Sequence, residues 1–205
     1  MLFRSHDSER KLIKDYNYVD EIDYIVTHPK RNNFIKNLAL SLTGNTLLLF
    51  QYVEKHGKVL YDMLKDAENR EVYFVHGQVD GDEREKIRKI VEKKSNAIIV
   101  ASVGVFSTGI NIPSLKNIIF ASPSKSRIRT LQSIGRVLRK SKKKTHSILF
   151  DIADDLTHNK KKNYTLNHLI ERVKMYSSEE FPYELHNIKL RSDNGSGRSL
   201  FFEDE

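Results

Sequence analysis

Three side chains in the stretch T-L-Q-S-I-G-R-V-L-R, residues 130 to 139, have types and spacing suited to phosphate chemistry. Gln132, Arg136 and Arg139 recur at intervals of four and three, which on a helix gathers them on one side, because residues three and four apart are surface neighbours. A guanidinium is planar and always charged, and it grips phosphate oxygens through two parallel hydrogen bonds. Two of them one turn apart can therefore clamp a phosphoryl group in transfer. The same spacing also suits an ordinary amphipathic helix with solvated arginines, and a short motif alone does not separate the two. A second set lies in A-S-V-G-V-F-S-T-G-I-N-I-P, residues 101 to 113. Ser102, Ser107 and Thr108 offer hydroxyls, while Gly104 and Gly109 leave backbone N–H groups unobstructed, as a close approach to phosphate requires. A turn-rich connector capped by Ser and Thr has the same composition.

Such residues need a frame, and the hydrophobic pattern supplies one. From Pro29 a helical stripe (Phe34, Ile35, Leu38, Leu40, Leu42) runs to the stop at Gly44-Asn45, and Thr46 to Val53 is then a continuous apolar run of strand length. Further along, a helix over Glu54–Ala67 is followed by a strand over Glu71–Val75, a turn at His76-Gly77 and a helix over Asp82–Lys93. Strands follow at Asn96–Ser102, Lys116–Ala121 and Thr145–Ile152, the helix of the Gln132 to Arg139 motif lies before the last of them, and a final helix covers Tyr164–Tyr176. Alternating strands and helices predict an α/β fold, a doubly wound parallel sheet of five or six strands with right-handed crossovers. In such sheets ligands collect beyond the carboxyl ends of the strands. The polar loops at Gly77, 102–111, 122–126 and 151–155 fall there. Residues 1–24 lack a sustained period and read as a connector, residues 25–178 as the ordered domain, and residues 179–205, with a Gly/Ser-rich spacer and an acidic, aromatic tip, as a flexible tail.

A chain of 205 residues with 39% hydrophobic residues can bury a core, and its net charge of +8 favours an anionic partner such as nucleic acid. Without cysteine it has neither disulfides nor thiolate metal ligands, and its eight histidines are scattered, so no metal site is expected. Asp151, Asp154 and Asp155 could suggest a nuclease-type metal site, but acidic residues at a strand end more often cap a helix or pair with arginines. Lys142, Lys143 and Lys144 read either as a solvated turn or, beside a phosphate site, as a track for a nucleic-acid backbone. The longest apolar run, Ala97 to Phe106, falls short of the ~20 residues of a spanning helix, and no signal-peptide core opens the chain, so a soluble, cytoplasmic protein with no membrane partner is expected.

The order of these motifs resembles that of the superfamily 2 helicases. T-L-L-L-F-Q-Y-V looks like their motif IV, A-S-V-G-V-F-S-T-G-I-N-I-P like motif V and Q-S-I-G-R-V-L-R like motif VI, with Gly77 and Arg84 of V-H-G-Q-V-D-G-D-E-R matching the segment between. The wording is similar to that of phage recombination helicases. The resemblance implies a RecA-like C-terminal lobe. Arg139 would then be the arginine finger, and Arg136 and Gln132 its companions at the nucleotide phosphates or facing lobe. Gly109, Asn111 and Gly135 would lie near the nucleotide, and Ser102 and Thr108 on the nucleic-acid backbone. Asn111 departs from the family, which more often has Asp there, and the spacing from Ser102 to Gly109 is one residue longer than in many relatives.

No G-x-x-x-x-G-K-[ST] occurs in the sequence; Gly57-Lys58 is followed by Val59 rather than a hydroxyl, and no D-E-x-[HD] box follows an apolar strand. The groups that hold ATP phosphates and Mg2+ are thus expected on an N-terminal lobe, and this chain alone is expected to be inactive. The resemblance implies sequence-independent binding of DNA or an RNA/DNA hybrid, with branched DNA or an R-loop as substrate in recombination, repair, replication or branch migration. It also implies the host cytoplasm if the protein is phage-encoded. A non-catalytic RecA-like module that binds nucleic acid or a partner is the alternative.

Overall fold

The computed structural model describes residues 1–107, 112–122 and 147–189. Its main sheet has five parallel strands in the order β3-β4-β2-β5-β6: β2 Asn45–Phe50, β3 Val72–Val75, β4 Ile98–Ser102, β5 Leu115–Phe120 and β6 Ile148–Asp151. All six residues of the central strand β2 are buried, which is why it reads as an unbroken apolar run rather than an alternation. Its side chains divide between two layers. Leu47 and Leu49, with Ile99, Ala101, Ile118 and Phe120, join Val91 of α5 (Gly81–Glu92) and Met175 and Tyr176 of α7 (Tyr164–Ser178). Leu48 and Phe50, with Ile98, Val100 and Ile119, join Ile35 and Ala39 of α3 (Pro29–Ser41) and Leu60 and Leu64 of α4 (Lys58–Leu64). Helices thus cover both faces, the doubly wound arrangement that the alternation predicts.

Apart from the segment after β4, two regions differ from the sequence reading. Residues 1–24 are not irregular: they contain β1 (Leu2–Arg4), α1 (Asp7–Leu12) and most of α2 (Tyr18–Thr27). These elements are too short to show a period, but α2 begins with a reciprocal cap in which Asn17 Oδ1 accepts from the N–H groups of Val19 and Asp20 at 2.8 and 3.1 Å. β1 lies between β7 (Ala153–Asp155) and β8 (Asn187–Lys189) in a second parallel sheet, so part of the expected tail is a strand, while residues 190–205 lie outside the described residues. Phe3 of β1 packs into the same core layer as Leu48 and Ile119. The second difference is at the start of the helix predicted from Glu54, where Val53–Gly57 forms a π-helical turn before α4. The wider turn brings the Gly57 backbone against the Phe50 ring, so close that a Cβ there would collide with Phe50 Cδ2, Cε2 and Cζ. Among the described residues no helix is long and apolar enough to cross a membrane.

Candidate functional site at the carboxyl edge of the sheet

Strand register brings the ends of the five strands into one row. Val75 stands opposite Ala101, Ala101 opposite Leu49, Leu49 opposite Phe120, and Phe120 opposite Asp151. Immediately beyond this row lie Ser102, paired in register with Phe50, and the turn containing Gly77. Ser102 is buried, and the chain passes from it straight into the short helix α6 (Val103–Ser107), where a loop is expected from the sequence. Val105, buried in the core, holds α6 down. Gly104 points the other way. It is exposed, and among the described residues, its chain neighbours and helix backbone aside, no atom lies within 4 Å of the place where a Cβ would sit, which is also true of Gly77. Both glycines leave room beside the chain on the edge where a ligand of an α/β sheet is expected.

The loops after β5 and β6 are more tightly committed. Ser122, fully buried, accepts a hydrogen bond from the Gln51 N–H at 3.1 Å and bonds His56 Nδ1 at 2.8 Å, which ties the carboxyl ends of β2 and β5 together. The acidic residues divide among distant arginines. Arg172 Nε and Nη2 donate to Asp151 at 2.6 and 3.0 Å, and Tyr176 Oη adds a third bond at 2.7 Å. Burial disfavours the Arg172 cation, but Asp151 beside it outweighs that cost and raises its pKa above the ordinary arginine value. Arg31 Nε donates to Asp154 at 2.8 Å and its Nη1 to the Ala121 carbonyl at 2.8 Å. Asp155 accepts from the Thr157 N–H at 3.0 Å. The arginine-pairing reading of this cluster therefore describes it. Arg31 and Arg172 themselves give no sign in the sequence, because a buried arginine is spelled like a solvated one.

Of the residues singled out by sequence, Ser102, Gly77 and Gly104 fall on the open edge. Thr108, Gly109, Asn111, Gln132, Gly135, Arg136, Arg139, Lys142, Lys143 and Lys144 lie outside the described residues. The described residues that flank them are Ser107 at the end of α6, Ile112 and Ser122 on either side of β5, and Ser147 before β6. Arg84 lies in the first turns of α5, its backbone N–H bonded to the Asp80 carbonyl at 2.9 Å.

Residues 29–141 match the family described as helicase conserved C-terminal domain. The chain is 37% identical over 203 residues to the ATP-dependent DNA helicase UvsW of Enterobacteria phage T4, covering 93% of this chain and 40% of that protein. It is 32% identical over 174 residues to a putative ATP-dependent RNA helicase of Acanthamoeba polyphaga mimivirus, covering 78% of this chain and 31% of that one. The chain thus spans well under half of these relatives. The crystal structure of T4 UvsW superimposes with a TM-score of 0.78 over 92% of this chain and 40% of that one, at 37% identity. The C-terminal domain of the DEAD-box protein Dbp5 gives 0.57 over 92% and 89% at 15% identity, a likeness of fold alone. Taken with the parallel sheet and the motif order along it, these matches establish that the chain belongs to the helicase conserved C-terminal domain family, as a RecA-like C-terminal lobe of the superfamily 2 helicase type.

Proposed function

We propose that this chain is the C-terminal motor lobe of an ATP-dependent DNA helicase or branch-migration translocase, contributing motifs IV to VI to a nucleotide site completed by an N-terminal lobe. The observation that carries this reading is the carboxyl edge of the sheet bearing Ser102, Gly104 and Gly77 in a chain with 37% identity to an ATP-dependent DNA helicase. Arg139 acts as the arginine finger, with Arg136 and Gln132 beside it. Gly109, Asn111 and Gly135 approach the nucleotide, and Ser102, Thr108, Lys142, Lys143 and Lys144 hold the DNA backbone. ATP and Mg2+ are held mainly by the N-terminal lobe, because this sequence has no phosphate-binding G-x-x-x-x-G-K-[ST]. Residues 1–24 join the two lobes. Branched DNA or an R-loop, bound without base specificity, is the substrate, in recombination, repair or replication within the host cytoplasm of a phage.

The test is ATP hydrolysis on branched DNA by this chain alone and together with the N-terminal lobe of a UvsW-type helicase. The expected result is background turnover alone and DNA-stimulated turnover in combination. Hydrolysis by the chain alone would overturn the shared-site reading. Background turnover in combination, with DNA binding intact, would instead make the chain a non-catalytic binding module.

A further inference from the structure

Beyond the end of β7 the chain makes a four-residue hairpin, His158 to Lys161, closed by His158 N–H to Lys161 O at 3.2 Å and Lys161 N–H to His158 O at 2.9 Å. Asn159 and Lys160 have φ of 46° and 65°, the left-handed pair that a tight two-residue turn requires. Between this hairpin, the first turns of α7 and the chain joining α1 to α2 lies a cavity of about 140 Å³. Tyr16 and Tyr164 line it, and Lys14, Lys161, Lys162 and His158 contribute basic groups.

The base of the cavity is rigid. Glu21, only 4% exposed, accepts from the N–H groups of Tyr164 and Thr165 at 2.9 and 2.7 Å and from Asn163 Nδ2 at 2.9 Å. Its negative charge is therefore taken up by the amino end of α7 and by an amide, and the site keeps its cationic rim. Asn163 Oδ1 in turn accepts from the Leu156 N–H at 2.9 Å, tying the chain ahead of the hairpin to the amino end of α7. The tyrosines are braced at steep angles, Tyr16 by Tyr24 with centroids 6.4 Å apart and Tyr164 by Tyr18 at 5.9 Å. Yet Tyr16 is 39% and Tyr164 46% exposed. Lys161 and Lys162 are exposed and form no ion pair among the described residues, while Lys14 has the exposed Asp15 at 3.9 Å.

A cavity of roughly 150 Å³ accommodates one benzene-sized ring. Aromatic walls, a rim of lysines and a net charge of +8 together suit a flat ring carried on an anionic backbone. We propose that this pocket receives an unpaired base of single-stranded DNA, stacked on Tyr164 or Tyr16, with Lys161 and Lys162 on the adjoining phosphates and the exposed Asn167 amide at the base edge. Ser102 does not line this site, which gives the lobe a further grip on a separated strand. This inference rests on the reading of the chain as a DNA motor lobe.

The experiment measures binding of labelled oligothymidylate, and of an abasic strand of equal length and charge, to the chain and its variants. The sequence has no tryptophan, so quenching of tyrosine emission reports stacking directly. Wild type is expected to prefer oligothymidylate. Tyr164→Ala should weaken that binding roughly 5- to 150-fold, the range for losing one base–aromatic stack, and erase the preference over the abasic strand. Tyr164→Phe should restore both, which separates stacking from any effect on folding. Replacing Lys161 and Lys162 together with Ala should reduce the salt slope by up to about 1.4, at ~0.7 for each single-strand phosphate contact. A wild-type chain that binds neither strand overturns the motor-lobe reading and this one with it. Binding that is the same for both strands, or within twofold of wild type in both Tyr164→Ala and Tyr16→Ala, overturns the pocket alone.

Discussion

The two ends of the main sheet treat their polar groups in opposite ways. At the amino ends of β2 and β4, Arg70 is buried, and its guanidinium donates to the carbonyls of Ala39, Leu42, Gly44, Asn96 and Ala97 and to Thr46 Oγ1, at 2.5 to 3.3 Å. Asn45 beside it donates to Val91 O, Lys94 O and Ser114 Oγ and accepts from the Ala97 N–H. Asn117 Nδ2 closes the network on Thr43 O and Thr46 Oγ1. Burial pulls the Arg70 pKa below the ordinary arginine value, and among the described residues no acid forms an ion pair with it, so carbonyl dipoles carry the charge. At the carboxyl ends, Ser122 is likewise tied down, but Gly104 and Gly77 are exposed, with open space among the described residues where a Cβ would sit. One end spends its polar groups on holding strands and helices together, and the other leaves space beside two exposed glycines.

The sharpest separation is expected from Arg139→Ala in a two-lobe protein. An arginine finger stabilises charge as the γ-phosphate leaves and contributes roughly 10³ to 10⁵ in turnover, so DNA-stimulated hydrolysis should collapse while the unfolding midpoint stays put. Arg139→Lys should not rescue it, because a point charge lacks the two-pronged contact. Arg127→Ala, outside the motif on the same predicted helix, is the control and should cost little. Near-normal hydrolysis by Arg139→Ala would move the role to Arg136.

At the amino end the converse variant is Arg70→Met. It removes every hydrogen bond of the guanidinium from a buried site, and unsatisfied buried acceptors such as the Ala39, Leu42 and Asn96 carbonyls cost ~1–3 kcal/mol each, so stability should fall by at least ~3 kcal/mol in urea titration. A loss below ~1 kcal/mol would mean that water replaces the guanidinium, and the two ends would then differ far less than their hydrogen bonds suggest.

These arginines also mark the limit of sequence reading. The inner strands β2, β4 and β5 are legible because burial on both faces turns each into an apolar run, the edge strands β3 and β6 are legible as short apolar runs between helices, and the carboxyl edge is legible because motif V and motif VI follow such runs in a fixed order. Arg31, Arg70 and Arg172 are not, since nothing near them in sequence distinguishes a buried, many-bonded guanidinium from a solvated one. Their partners come from other elements, Asp154 lying 123 residues from Arg31. The sheet of β1, β7 and β8 was missed for another reason: three-residue strands carry too little alternation to show a period, and their pairing joins the two ends of the described chain.

Gly57 sharpens the contrast from within the carboxyl side. It follows β2 yet lies against Phe50, so Gly57→Ala must displace a fully buried ring. Overpacking of this kind costs ~1–3 kcal/mol, which denaturant titration would register. A neutral result would show that the π-helical turn relaxes to an α-helical one at little cost.

The smallest effect on stability is expected at Gly104, and for that reason it is informative. Among the described residues, its own helix backbone and chain neighbours aside, nothing stands within 4 Å of a Cβ there, the residue is helical, and its φ lies outside the left-handed region. Gly104→Ala should therefore leave stability unchanged or raise it by up to ~0.5–1 kcal/mol, the usual helical advantage of Ala over Gly. If a DNA phosphate comes close to this backbone, the same methyl group should obstruct it, and the affinity of the chain for single-stranded DNA should drop a few-fold although the fold is no weaker. Loss of stability together with affinity would show that Gly104 serves packing, as Gly57 does. Unchanged affinity would show that DNA passes α6 at a distance and place its contacts on Ser102 and the residues that follow Ser107.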